Sequence, residues 1–421
     1  MNTYIEPYNY KTMSTQHKDI DFQSSIVSPD ARKSNLSMFM IMMGFTFFSA
    51  SMWVGQEMAR GLIFTDFIIA MILGGIILGA YTGALGYIGA KSGLSLDLLA
   101  VKTFGTKGSY LPSAMISFTQ MGWFGVGLAM FAIPIAKVAF GDSPLAIYTM
   151  VALAGACMTA TAYFGIKSLA LISYVAVPCV AILGTIAMVM AIMQGDKGLV
   201  EQFDLGNKTM GIVAGAGLVI GSFISGGTAT PNFSRFSKNG KVGCLITVAA
   251  FFIGNSLMFL FGAVSSIYVG GNDIFDVMIN LNLFYFAILV LGLNIWTTND
   301  NALYSTGLGL ANIFNLGKRP MVLVSGIIGT IAAVWLYNNF CGYLNILNCT
   351  LPPVGIILVL GYFMNHNKTS WQHNKTVDAG AVIGVITGAV IANIATWGIP
   401  SINGMVVAAI CYLIGRGAKK P

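Results

Sequence analysis

The sequence predicts an all-α polytopic membrane protein of 12 transmembrane helices, with both chain ends on the cytoplasmic side. Three observations carry this. Only 9% of the 421 residues are charged and 56% are hydrophobic, whereas a soluble domain carries roughly 25% charged residues. Twelve apolar runs lie near 36–59, 63–90, 111–137, 145–165, 168–194, 209–227, 243–269, 281–306, 320–337, 339–364, 379–397 and 401–416. Runs of about 20 apolar residues need a bilayer. They are too long for barrel strands and lack two-residue alternation, which leaves helices. Third, with the N-terminus inside, only Arg60, Lys137, Lys197 and Lys208 of the 22 basic residues fall outside. That asymmetry is the positive-inside signal of an even number of spans. It also accounts for the net charge of +7 without a nucleic-acid partner.

Taken in order, residues 1–35 are polar and mixed in charge and lack the apolar core of a signal peptide, which predicts a disordered cytoplasmic tail. Span 1 contains "GFTFFSASMWVG" (44–55), with small and hydroxyl residues clustered at its centre. After it comes the polar "QEMAR" (56–60), where Glu57 and Arg60 stand i,i+3 and either pair or shape an outer entrance. Span 3 reads "SFTQMGWFGVGLAMFAIP" (117–134). Gln120 and Trp123 share a helix face there, suited either to a flat heteroaromatic ligand or to interior packing. Span 6 carries Gly221, Ser222, Ser225, Gly226, Gly227 and Pro231 within a stretch that should be apolar and helical. Glycine costs about 1 kcal/mol and proline about 3 in a helix interior. Gly221 to Pro231 therefore predicts a break, with close helix packing through small residues as the other reading; for Gly211 to Gly217 packing is preferred. Spans 1 and 6 are five apart, as a five-plus-five inverted repeat requires. The domains follow: 36–194 for the first repeat, 209–364 for the second and 379–416 for two extra helices. Span 8 concentrates Asn294, Thr297, Thr298, Asn299, Asp300 and Asn301 in "LGLNIWTTNDNALYS" (291–305).

Several function classes fall away. No GxxxxGK[ST] pattern or soluble nucleotide-binding stretch occurs, so the chain is not by itself an ATP-driven pump. The three His (17, 366, 373) sit in the tail or a loop and cannot relay protons across a membrane. The six Cys show no CxxC spacing, which predicts small buried apolar residues, not zinc ligands or disulfides. With Glu57, Arg60 and Asp300 as the few intramembrane charges, an enzyme is the weakest class. A carrier leads, with an amino-acid carrier of the same build and an ion channel as rivals.

The blocks "FTFFSASMW" (45–53), "QMGWFGVGLAMFAIP" (120–134), "VIGSFISGGT" (219–228), "FFIGNSLMFLFGA" (251–263), "LGLNIWTTNDNALY" (291–304) and "LYNNF" (336–340) resemble the nucleobase–cation symporter family. The resemblance runs from about residue 30 onward. It implies the leucine-transporter-type fold and sodium-coupled symport of a nucleobase, cytosine, into the cell by alternating access. It also implies a bacterial inner-membrane protein without organic cofactor, catalysis or obligatory protein partner, working as a monomer among membrane lipids. The resemblance places Trp123 and Phe223 on opposite faces of the base. Gln120, then Ser222, Phe223 and Ser225 from an unwound part of span 6, and Asn299 and Asp300 from span 8 meet its polar edge. Sodium is implied at the carbonyls of Gly44, Phe47 (or Phe48 in a shifted register) and Asn294, with the hydroxyls of Thr297 and Thr298. "QEMAR" departs from the Gly-rich stretch expected after span 1, which leaves another pyrimidine or a purine open as substrate.

Overall fold

A computed structural model describes residues 25–141, 143–164, 166–206, 208–271, 274–365 and 375–417. All regular structure among them is helical. The first half comprises α1 (Asn35–Thr46), α2 (Ser49–Gly61), α3 (Phe64–Ser92), α4 (Leu96–Phe104), α5 (Tyr110–Phe140), α6 (Pro144–Tyr163), α7 (Ile166–Gln194) and the short α8 (Leu199–Phe203). The second comprises α9 (Ile212–Thr228), α10 (Pro231–Ser234), α11 (Gly240–Val248), α12 (Asn255–Val269), α13 (Ile274–Asn280), α14 (Phe284–Phe314), α15 (Lys318–Asn338), α16 (Phe340–Thr350) and α17 (Pro352–Asn365). Finally come α18 (Ala379–Ile394) and α19 (Pro400–Gly417).

Every predicted apolar run coincides with a helix or a joined pair. Seven helical stretches are long and apolar enough to cross a membrane, and the bent pair α1–α2 makes an eighth. The polar centre of α14 and the shortness of α9, α18 and α19 separate the other four from these. Helix starts follow from local chemistry. Ser34, Ser95, Asn239 and Asp378 each accept a hydrogen bond from a backbone N–H of the first turn, which satisfies one of the donors orphaned there. Backbones touch where side chains are absent: a Cβ on Gly55 of α2 would strike the carbonyl of Phe259, and one on Gly262 of α12 would strike that of Met52.

Two expectations change here. The tail prediction covers residues 1–35, of which 1–24 lie outside the described residues. Residues 25–34 are ordered and dock on one end of the bundle. Val27 is buried and its N–H donates to the Gly93 carbonyl, while Arg32 donates to the carbonyls of Ala90, Ser237 and Lys238. One planar guanidinium thus serves the end of α3 and the loop before α11, and this repays ordering the strap. His17, His366 and His373 also lie outside the described residues. Of the six cysteines only Cys349 is buried; Cys157 and Cys341 are exposed and the other three half-buried. Small apolar residues on an outward face suit a helix whose surroundings are lipid.

Candidate functional site

The site grows from the break between α1 and α2. The two helices meet at 48°, with Phe47 and Phe48 in extended or irregular backbone between them. Ending α1 there frees carbonyls, and starting α2 frees N–H groups. Asn294 of α14 answers from across the bundle: its Oδ1 accepts from Ser49 N–H at 3.0 Å. The Phe48 carbonyl is engaged by Ser51 N–H at 2.9 Å. Below the break a cluster of hard oxygens assembles. Thr297 Oγ1 lies 2.7 Å from the Asn294 carbonyl and 3.4 Å from that of Gly44, and Thr298 Oγ1 lies 3.2 Å from the Asn294 carbonyl. All four residues are buried. Both threonines are thus bonded back one turn, as mid-helix hydroxyls often are, and the predicted ion ligands Gly44, Asn294, Thr297 and Thr298 share one spot.

Beside this cluster lies a cavity of about 10 Å³, room for roughly one water. Its walls include Gln120 and Trp123 from α5, Ser222 and Phe223 from α9, Thr298 and Ala302 from α14, and Phe45 and Phe48 from the break. Phe48 stands edge-on to both predicted stacking partners, 5.7 Å from Trp123 and 6.4 Å from Phe223 between centroids. Its ring thus touches both and forms a third aromatic wall of the cavity. Polar groups here are uncharged and pre-engaged. Gln120 Nε2 donates to Ser225 Oγ at 2.7 Å; Ser222 Oγ donates to the Val219 carbonyl and accepts from Asn255 Nδ2.

Two site expectations are corrected. Span 6 is not unwound at Ser222, Phe223 and Ser225: α9 runs unbroken to Thr228, and the break predicted within Gly221–Pro231 comes only at Ala229 and Thr230. Packing outweighs the glycine penalty. A Cβ on Gly226 would strike the Phe45 ring and one on Gly227 would strike Thr82, so these glycines buy close approach and the helix keeps its ladder. Asn299 and Asp300 also turn away from the cavity. Asn299 Nδ2 donates to the Phe124 carbonyl at 3.3 Å, and Asp300 Oδ1 accepts from Thr161 of α6 at 2.8 Å. Successive helix residues point about 100° apart, so with Thr298 facing the cavity its next two neighbours face α5 and α6. Phe45 and Ala302 were missed by sequence reasoning, and Phe48 was named only for its carbonyl and not for its ring; the two aromatics belong to the hydroxyl-rich centre of span 1 singled out in the sequence.

Packed side chains lie beyond the cavity toward each end of the bundle. On one side Trp53 of α2 stacks on Phe340 of α16 at 4.4 Å and 12°, and Phe340 and Tyr343 meet the Trp123 ring edge-on at 6.0 and 5.5 Å. Glu57 and Arg60 pair nearby at 2.7 Å. Toward the opposite, Lys/Arg-rich end, fully buried Arg235 donates to the Asn232 carbonyl and to the Tyr304 hydroxyl at 3.1 and 2.9 Å. Asp97 of α4 accepts from Ser113 at 2.5 Å, and the Lys318 ammonium lies 4.4 Å over the Tyr304 ring. Burial pushes the Asp97 carboxyl up to about 6, against the opposing pulls of Ser113 and the Arg235 charge.

A small, neutral, aromatic cavity buried where a broken helix meets facing helices is the build of a secondary carrier's binding site. Comparison with known proteins gives the family. Residues 26–409 match the model of the permeases for cytosine/purines, uracil, thiamine and allantoin, and the chain belongs to that family. The cytosine permease of Escherichia coli K12 is 45% identical over 402 residues, 94% of each chain. In fold, the chain resembles Mhp1, a nucleobase-cation-symport-1 family transporter, in a closed conformation with bromovinylhydantoin bound. The TM-score is 0.77 at 18% identity, over 92% of this chain and 93% of that one. A Na+-coupled sialic acid symporter in a substrate-bound outward-open state gives 0.68 at 14%, over 96% and 92%. These relatives are permeases and transporters, not enzymes.

Proposed function

We propose that this permease carries cytosine into the cell together with sodium, by alternating access through 12 spans arranged as two inverted five-helix repeats and two extra helices. The observation that carries the reading is Thr298: it lines the aromatic cavity and bonds to the carbonyl at the centre of the oxygen cluster. One side chain therefore belongs to both the base site and the ion site, which is a physical route for coupling them. The 45% identical cytosine permease supports the choice of base. A neutral ring needs no buried countercharge, and the cavity offers only an amide and hydroxyls between Trp123 and Phe223.

Sodium as cargo fits the donor set, since carbonyl and hydroxyl oxygens suit a small hard cation. Gly44, Phe47, Asn294, Thr297 and Thr298 would hold it. The Phe48 carbonyl, already accepting from Ser51, favours the Phe47 register. For the base to enter, the water-sized cavity must widen, and the wall at the break, Phe48, is the one that moves. Asn299 and Asp300 serve by fixing α14 against α5 and α6. With the basic end inside, both termini are cytoplasmic and the protein works as a monomer in the bacterial inner membrane.

The test is a titration of cytosine binding against sodium in purified wild type, Thr297→Ala and Thr298→Ala. Coupling between two ligands is reciprocal, so wild-type affinity rises with sodium and the variants shift that dependence to higher sodium. Hydroxyls that serve only their own helix would leave the sodium midpoint unchanged in both variants, which would remove the ion site from these residues.

A further inference from the structure

Gln120 does not sit alone on the cavity wall. Its Nε2 donates to Ser225 Oγ at 2.7 Å, Ser225 Oγ donates to Thr119 Oγ1 at 2.8 Å, and Thr119 Oγ1 donates to the Ile116 carbonyl at 3.1 Å. Each hydroxyl has a single proton, and a carbonyl can only accept. The last link therefore fixes the direction of all the others. Thr119 spends its proton on Ile116 and offers Ser225 only lone pairs. Ser225 spends its proton on Thr119 and offers Gln120 only lone pairs. Gln120 must then turn its NH2 to Ser225 and commit one of its two N–H groups there, which sets Oε1 at the other end of the amide as the acceptor beside the cavity that Gln120 lines.

We propose that Thr119, which does not itself line the cavity, is a positioning residue that sets the polarity of the base site by holding Gln120 as a hydrogen-bond acceptor. The site then selects a ring whose edge offers an amine or N–H donor and rejects the ring of the same size that carries a carbonyl there. Cytosine and uracil differ in this way, as do adenine and hypoxanthine. This inference rests on the reading that a nucleobase binds between Trp123 and Phe223. Its own content is separate: an amide is symmetric in shape but not in hydrogen bonding, and a hydroxyl relay decides which end faces the substrate.

The chain makes a prediction that a merely structural Thr119 would not. Thr119→Val keeps the size and the branching at Cβ but removes both the donor and the acceptor. Ser225 is then free to donate to Gln120 Oε1, and the amide can exchange its ends. The experiment measures dissociation constants for the two amine/carbonyl pairs in wild type, T119V, T119S and S225A, with thermal unfolding in detergent to establish folding. In wild type the amine member of each pair binds more tightly. In T119V the ratio between carbonyl and amine members falls about tenfold or more, because an unpaired or mismatched buried acceptor is no longer enforced. Thr119→Ser keeps the hydroxyl and restores the wild-type ratio. Ser225→Ala cuts the same chain without altering α5, and its ratio falls as well, which keeps the test decisive if T119V does not fold. An unchanged ratio in folded T119V and S225A, with cytosine still bound by wild type, overturns the relay and leaves the proposed function standing. Binding of neither member of either pair by folded wild type overturns both.

Discussion

The two covers over the cavity are built from opposite chemistry. The cover made by α2 and α16 is aromatic: Trp53 on Phe340, with Phe340 and Tyr343 against Trp123. The plug at the basic end is made of buried charge and hydrogen bonds, with Arg235, Tyr304, Asp97, Ser113 and Lys318 at its centre and the Arg32 strap lying across the end of α3. Stacked rings are non-directional enough to slide and re-form, worth about 0.5–1.5 kcal/mol beyond their burial. A buried guanidinium is costly to leave unpaired, so its network opens only when all its partners move together. The difference teaches that the aromatic side is the readily yielding one and the charged side the latch.

The largest effect should come from breaking the latch. Arg235→Ala removes a fully buried cation and leaves Asp97 and Tyr304 without it. Breaking one partner of a buried charged network costs about 3–5 kcal/mol, so the thermal midpoint should fall clearly and Arg235→Lys should not restore it, because lysine lacks the planar fork. A wild-type midpoint in R235A would remove the contrast between the two ends. Next in size, Trp123→Ala and Phe223→Ala should each weaken cytosine binding about 5- to 150-fold, since stacking on an aromatic is worth about 1–3 kcal/mol per base. Equal affinity in folded variants would mean that the rings only fill the core.

Phe340→Ala tests the yielding side. It removes one ring of the cover, and the expected outcome is cytosine release faster by about 2- to 10-fold with little loss of stability; stopped-flow dissociation reads this directly. A stability loss as large as that of R235A would show both ends to be equally structural. The charged side can also be tested through its pH dependence. The folded Asp97 carboxyl, at about 6, lies above its unfolded value of 3.8, so the folded state holds the proton longer. Its contribution is complete below the unfolded value and is lost as pH rises through about 6. Wild-type stability relative to Asp97→Asn should therefore decline from about pH 4 to about pH 6.5. A difference that grows over that range would reverse the sign and contradict the burial of the carboxyl.

Much of this architecture was legible in the sequence because lipid imposes a simple rule: apolar runs of sufficient length become helices. The site of the break in the first span was marked too, since "FTFFSASM" sets three phenylalanines beside small hydroxyl residues that can serve freed backbone groups. Span 6 breaks within the predicted Gly221–Pro231 stretch but only at its far end, because Gly226 and Gly227 carry a cost that composition reveals and a packing gain that it hides: the Phe45 ring and Thr82 lie where side chains would be. Asn299 and Asp300 misled for a rotational reason. Adjacent polar residues on a helix cannot all face one cavity, and only the partners across the bundle (Phe124 and Thr161) tell which way each turns. The docking of residues 25–34 was invisible because it depends on Arg32 meeting carbonyls some 58 to 206 positions away.

The most direct test of sodium-coupled cytosine carriage is uptake of radiolabelled cytosine into proteoliposomes holding the purified protein, with sodium or choline outside at fixed pH. One charge crossing about 100 mV supplies about 2.3 kcal/mol, enough for roughly 50-fold accumulation. The account predicts saturable uptake that an inward sodium gradient drives above equilibrium, that an inside-negative potential increases, and that Trp123→Ala abolishes at low cytosine. Uptake of equal rate and extent in choline would contradict it.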